Sequence, residues 1–221
     1  MNIGNSTLKT LARSALGAAA LAVSMAASAQ TQIKLGHVLQ ASHSWNVAAQ
    51  SFADQVGKET AGRVNISVFP ASQLGSEKEM VEGLQFGSIQ AGVIGATSFG
   101  PIEPRVKVME LPYAWPSISH AHRAYDGELG SALNKMLDDK GFVVLGWLDL
   151  GTRHVTNRRG PVNTPGDLQG LKLRTPPDQM RIETFKQYGA QPAPLAFGEL
   201  YSALQQGVFD GQENPVEIIY T

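Results

Sequence analysis

Along most of the chain, apolar residues recur either at every second position or at helical spacing. The alternation predicts short strands separated by helices. Ile33 to Leu35 reads as a strand. Ser44 is placed to cap a helix with Trp45, Ala48, Ala49, Phe52 and Val56 on one face. Val64, Ile66 and Val68 alternate into a strand that Pro70 ends. Ser76 with Glu79 three residues on is a capping-box pattern, opening a helix that carries Met80, Val81 and Leu84. Ala91 to Ala96 reads as a short buried strand. Pro101 to Pro116 holds prolines at 101, 104, 112 and 116 and reads as an irregular connection.

The rest of the chain continues the pattern. Ser119 is expected to cap a helix to Tyr125, and a second helix carries Leu129, Leu133, Met136 and Leu137 and stops at Gly141. Phe142 to Leu148 is the most apolar strand candidate. Arg153 to Asn157 is extended, Pro161 to Leu168 is a turn region, and Leu171 to Arg174 is a strand. A helix spans Asp178 to Tyr188 with Met180, Phe185 and Tyr188 inward. Ala190 to Leu195 is extended, Phe197 to Gln206 is helical, and Phe209 opens another strand. Asn214-Pro215 has the form of an N-cap followed by proline at the first helical position. Strands alternating with helices predict an α/β architecture with parallel sheet.

The first 29 residues stand apart. Lys9 and Arg13 precede an apolar run, Ala15 to Ala26, that is too short to span a bilayer, and Ala27-Ser28-Ala29 has the small-residue form of a cleavage site. Residues 1–29 are therefore expected to be a signal peptide, leaving 192 of the 221 residues. Those residues suffice for two small domains, and the expected division is 30–150 and 151–221, with the boundary near Leu150-Gly151. The chain stops seven residues after Asn214, so the second domain is expected to be incomplete. Export to the periplasm is compatible with the absence of cysteine. Removing Lys9 and Arg13 leaves 16 basic against 19 acidic residues, a charge of −3 that argues against a nucleic-acid-binding surface.

One position stands out chemically. Arg174 ends an apolar strand just before Thr175-Pro176-Pro177, and ligands in open α/β sheets collect at the carboxyl ends of strands. A guanidinium is a planar fork of donors that matches a carboxylate. Arg174 therefore points to a small organic anion, although the same spacing also fits a surface arginine paired with a nearby acid. Arg153, following Gly151-Thr152, carries the same two readings. Asn214 fits either a helix cap or a ligand-facing amide. No metal or other cofactor is expected, because His37 and His43 are six apart and there is no HExxH pair, Walker A or GxGxxG motif. No nucleophile-and-base spacing supports an enzyme.

Five short motifs in order carry a resemblance: Phe69-Pro70-Ala71-Ser72-Gln73-Leu74-Gly75, Leu111-Pro112-Tyr113, Gly151-Thr152-Arg153, Asp167 to Arg174, and Phe197 to Gly207 running into Asp210-Gly211-Gln212-Glu213-Asn214-Pro215. The chain resembles the periplasmic solute-binding proteins of TRAP transporters, the DctP-like family, over Ile33 to Thr221. The resemblance implies a type II periplasmic-binding-protein (Venus-flytrap) fold, with two α/β domains closing on an organic acid. It also implies delivery to TRAP membrane permease subunits through transient contact. By the same resemblance, Arg174 grips the ligand carboxylate, Arg153 supports it, and Phe197 and Asn214 line the cleft. His37, Glu77, Thr97 and Ser98 occupy the first-domain contact positions. Some sialic-acid-binding members carry an arginine at the position of Ser98 and a glutamate near Gly95. This chain has neither, which disfavours sialic acid. The rival readings are a binding protein of an ATP-driven importer or sensor, and a secreted α/β enzyme.

Overall fold

The computed structural model describes residues 30–221, and the expected signal peptide lies outside the described residues. Strand β1 (Thr31–Gly36) pairs in parallel with β2 (Val64–Phe69), from Thr31 opposite Val64 to Gly36 opposite Phe69. On its other side β1 pairs with β3 (Ala91–Gly92), giving the order β2-β1-β3. Each step along this sheet passes through a helix, as parallel pairing requires. Helix α1 (Ser44–Glu59) buries Ala49 and Ala53, one turn apart, while Phe52 stays 41% exposed. Its cap is His43, whose Nδ1 accepts from the Trp45 amide at 3.1 Å, so Ser44 is the first helical residue rather than the cap.

Helix α2 (Glu77–Phe86) forms the capping box read from the sequence. Ser76 Oγ accepts from the Glu79 amide, and Glu79 Oε2 accepts from the Ser76 amide at 2.7 Å. Gly87 ends the helix at φ 74°, a left-handed turn that glycine adopts without strain. The strand expected over Ala91 to Ala96 is only two residues long. Val93 still donates to the Gly36 carbonyl at 2.9 Å, but β1 ends at Gly36 and offers no further partner. The chain turns instead into a 3-10 helix, Ala96–Phe99.

A second 3-10 helix, Pro104–Glu110, occupies the proline-rich connection. Helix α3 (Ile118–Tyr125) is capped by Ser117, two residues before Ser119. Helix α4 (Glu128–Asp138) buries Leu133 and Leu137. These residues join Val81, Val106 and Phe142 in one core cluster. Val38, Leu39, Met80 and Ile89 form a second. Adjacent residues of α2, Met80 and Val81, thus serve both clusters.

The apolar run Phe142 to Leu148 joins no sheet. Its alternation holds as far as Leu145: Phe142 is buried and meets Phe99 edge-on at 5.1 Å, Val144 packs on the same cluster, and Trp147 rejoins that cluster out of phase, beyond Gly146. Val143 and Leu145, pointing the other way, are 76% and 79% exposed. A strand is defined by a ladder of backbone hydrogen bonds, and among the described residues no segment supplies one here.

The second sheet has the order β4-β7-β5-β6. Strands β5 (Lys172–Thr175) and β6 (Gln191–Pro194) are parallel, as are β5 and β7 (Gly211–Pro215), whereas β4 (Arg153–Asn157) runs antiparallel to β7. Helix α5 (Gln179–Gln187) connects β5 to β6, and α6 (Leu200–Gln205) leads back to β7. Leu168, Leu171, Leu173 and Ala190 form the core beneath it. Each buried leucine there contributes about 1.5–3 kcal/mol. Helix α7 (Val216–Tyr220) closes the described chain. Among the described residues no helix is long and apolar enough to cross a membrane.

Glu103 fastens the start of the Pro104 turn. Its buried carboxylate accepts from Arg105 Nε and Nη2, each at 2.6 Å, and from the Arg105 amide at 3.1 Å. The Arg105 guanidinium holds its pKa down to about 2. A depressed carboxyl contributes stability above its unfolded pKa and loses it as the folded pKa is approached. The stability gap between wild type and Glu103→Gln is therefore expected to be widest above pH 4.5 and to close toward pH 2. Urea denaturation across that range measures it, and a gap that does not change with pH would contradict the assignment.

Candidate functional site

The carboxyl end of β5 brings Arg174 and Thr175 into the interior, 1% and 0% exposed. The Arg174 Nε and Nη2 donate to one acceptor, the Leu195 carbonyl just beyond β6, at 2.9 and 2.6 Å. The guanidinium carbon lies 5.9 Å from the centre of the half-buried Phe197 ring, within cation–π range. Burial lowers the Arg174 pKa to about 10, with Glu213 and Glu77 acting against that shift and Arg153 adding to it. The side chain is thus cationic at neutral pH. Its Nη1 is buried and has no hydrogen-bond partner among the described residues.

Next to it runs a charged network that sequence reasoning did not anticipate. Glu213, 3% exposed on β7, accepts from Arg153 Nε at 2.5 Å and Nη2 at 3.0 Å, and from Arg181 Nη1 at 3.2 Å. Arg153 Nη2 also donates to Asn214 Oδ1 at 2.8 Å. Arg181, 8% exposed and the most buried residue of α5, continues to Glu110 of the Pro104–Glu110 turn and lies 3.5 Å from Asp178. Met180, Phe185 and Tyr188 are only partly buried. The one clue to Arg181 in the sequence is the acid three residues earlier, Asp178, at a spacing that places the pair on one helix face.

Asn214 is a strand residue and not a helix cap. It pairs with His154 across β4 and β7, is 3% exposed, and donates from Nδ2 to Gln212 Oε1. Pro215 occupies the cap position of α7. The Asn-Pro pair read as a helix start because the sequence does not reveal that β4 supplies a ladder partner through Pro215.

The facing wall comes from the first sheet and α2. Glu77, in the first turn of α2, accepts from the Gly95 amide at 2.9 Å and from Ser98 Oγ at 2.7 Å. A side chain at Gly95 would press on the Glu77 carboxylate, because its Cβ would lie 3.2 Å from Oε2. His37 is fully buried beyond β1, with Nε2 3.2 Å from Asn46 Oδ1 and Nδ1 unpartnered, and burial lowers its pKa. The Ser72 amide donates to the His37 carbonyl, and the Ala71 amide to that of Leu39. Ala71 and Ser72 both sit at positive φ, 52° and 59°, a strained pair held by these two bonds. Thr97 is half-buried in the 3-10 helix after β3. Its carbonyl accepts from Gly100, and its side chain makes no hydrogen bond to the other candidate residues.

The two walls meet. Phe197, under Arg174, packs on the Val38, Leu39 and Met80 cluster, and Gly198 lies against Ser72. Four of the seven buried side-chain atoms without a hydrogen-bond partner among the described residues belong to these walls, Arg174 Nη1, Thr175 Oγ1, Ser72 Oγ and His37 Nδ1, and two more, Asp178 Oδ2 and Arg181 Nε, to the adjoining network. Such atoms are rare in protein interiors, and each costs about 1–3 kcal/mol when left unmade. Their concentration makes this the candidate ligand site.

The model of DctP, bacterial extracellular solute-binding protein, family 7, matches residues 35–221. The chain belongs to this family. The family 7 relatives include the 2,3-diketo-L-gulonate-binding periplasmic protein YiaO of Escherichia coli K12. It is 34% identical over 200 residues, covering 90% of this chain and 61% of its own. A TRAP periplasmic solute-binding protein from Polaromonas sp. JS666, bound to D-erythronate, superposes with TM-score 0.83 at 36% identity, over 86% of this chain and 63% of that one. Another, from Sulfurospirillum deleyianum with bound succinate, superposes with TM-score 0.82 at 36% identity, over 87% and 62%. The fold is therefore that of the TRAP solute-binding proteins. This chain spans about three-fifths of the length of these relatives.

Glu213 is expected to be a positioning residue. Glu213→Gln leaves Arg153 and Arg181 without their shared buried charge partner and should cost about 3 kcal/mol of stability. Urea denaturation measures this, and a loss below about 0.5 kcal/mol, the range of an inert surface change, would contradict it.

Proposed function

We propose that the protein is the extracytoplasmic receptor of a TRAP-type secondary transporter. It captures a small organic acid by its carboxylate and passes it to membrane permease subunits. The observation that carries this reading is Arg174: a buried, cationic guanidinium with two nitrogens fixed on Leu195 and the third free. A carboxylate entering the site gives up its hydration. A guanidinium already held in place restores those hydrogen bonds without losing its own freedom. Arg153 lies close enough to act on Arg174, and its Nε and Nη2 are fixed by Glu213 and Asn214. In this reading Arg153 supports the same carboxylate, Phe197 and Asn214 line the pocket, and His37, Glu77, Thr97 and Ser98 meet the rest of the ligand.

Residues 1–29 direct export to the periplasm. Residues 30–150 and 151–221 act as the two lobes, with closure about Leu150-Gly151 driven by a ligand that touches both. Gly151 at φ 85° supports a bend there, because other residues rarely adopt that conformation. The role is binding without conversion, as befits a family of solute-binding receptors.

Arg174→Ala tests the reading. It strands the ligand carboxylate, and the expected loss is about 2–5 kcal/mol of binding, roughly 30-fold to several thousand-fold in Kd. Thermal-shift screening against organic acids identifies the ligand, and calorimetry on wild type and variant measures the loss. Unchanged affinity in Arg174→Ala would sink the carboxylate reading, as would binding confined to cations or neutral sugars.

A further inference from the structure

One ion pair joins residues 30–150 to residues 151–221 without belonging to the pocket around Arg174. Arg181 stands in the first turn of α5, which begins four residues after β5 ends, at the same end of the second sheet as Arg174. Its three side-chain nitrogens have different destinations. Nη1 donates to Glu213 at 3.2 Å, and Nε lies 3.5 Å from Asp178 without a hydrogen bond. Nη2 donates to Glu110, the last residue of the 3-10 helix Pro104–Glu110. Glu213 and Asp178 belong to 151–221, the same proposed lobe as Arg181. Glu110 belongs to 30–150 and is the hydrogen-bond partner of Nη2. Arg181 is 8% exposed and the Glu110 side chain 28%, so water screens this pair less than it would a surface pair.

The residue before Arg181 adds an apolar part to the same seam. Met180 lines an open groove of about 450 Å³ together with Val108 and Leu111 of the Pro104 segment and Leu129, Leu133 and Met136 of α4. Two adjacent residues of one helical turn thus face the first lobe, one by charge and one by apolar surface. The Arg174 guanidinium is bonded to Leu195 and lies over Phe197, neither of which is part of this seam. Arg181 does share Glu213 with Arg153, so a change at Arg181 would disturb the pocket as well. Glu110 is the member that can be altered by itself: its side chain meets Arg181 and none of the residues assigned to the ligand.

We infer that Glu110 is a positioning residue of the receptor. Through Arg181 it holds the two lobes in their closed arrangement and so sets how long an acid is kept, without touching that acid. Parting the lobes takes from Nη2 the acceptor that the other lobe supplies. The link acts on the difference between open and closed forms, so it strengthens the hold on every acid by the same factor. The inference rests on the two-lobe reading proposed above and adds to it the residue that governs closure.

Calorimetry and stopped-flow kinetics on the purified full-length protein test it, with succinate and D-erythronate as probes. Glu110→Gln is expected to weaken each acid that binds about fivefold, by a common factor and through faster dissociation. Glu110→Lys, which sets a like charge beside Arg181, should weaken it further. Unchanged affinity in Glu110→Gln, or a loss that differs between the acids, overturns the inference. Arg174→Ala keeps the two readings apart: binding that survives it overturns the carboxylate reading whatever Glu110→Gln does. If neither acid binds, the distance between the lobes decides. The chain has no cysteine, so Lys135→Cys on α4 and Gln187→Cys at the end of α5, both exposed, accept spin labels. Glu110→Gln should then deplete the shorter of the label distances in the ligand-free protein, and an identical distribution overturns the inference.

Discussion

The site depends on one constraint: a guanidinium kept charged inside the protein. Burial alone would make Arg174 costly, and the structure holds it with few partners. One carbonyl, Leu195, takes two of its nitrogens, and an aromatic ring lies beneath it. The parallel pairing of β5 and β6 positions that carbonyl, because it sets Arg174 opposite Ala193 and brings the end of β6 alongside. The Leu195 amide closes the same junction by donating to the Thr175 carbonyl at 3.1 Å. Local backbone geometry thus fixes the direction of the fork and leaves Nη1 as the one unmet donor.

Around that centre, β7 ties the arrangement together. It is the only strand of its sheet with a parallel neighbour on one side and an antiparallel one on the other. Its lower end is fastened by Asp210, whose carboxyl accepts from the Lys172 amide, Arg158 and Arg159 and is held below the usual aspartate range by those bonds. Its upper end presents Glu213 and Asn214. Through Glu213 and Arg181 the network reaches the partly buried Glu110, so elements on either side of Leu150 share one chain of charges. Breaking any link would leave a buried ion unpaired, which gives the network weight in geometry beyond its net contribution to stability.

Much of this was legible in the residues, and the failures have common causes. The Ser76–Glu79 box was readable because both partners lie within one helical turn. Arg174 was readable as a site candidate because an apolar strand, a charge and two prolines are contiguous. Glu213 and Arg181 were not readable, because their partners lie 60, 32 and 71 residues away. Asn214-Pro215 misled for the same reason: a strand needs a partner, and β4 is remote in sequence. Phe142 to Leu148 misled in the opposite sense, having the alternation of a strand and no ladder among the described residues. The site residues on the facing wall came from resemblance rather than from spacing, and the structure puts Glu77 and Ser98 in direct contact but leaves Thr97 apart from them.

The central claim concerns one atom, and a crystal structure of the full-length protein with a bound organic acid tests it most directly. The account predicts a ligand carboxylate oxygen within about 3 Å of Arg174 Nη1, the distance of a charge-assisted hydrogen bond. A ligand bound elsewhere, or one seated here with its carboxylate turned away from Arg174, would contradict it.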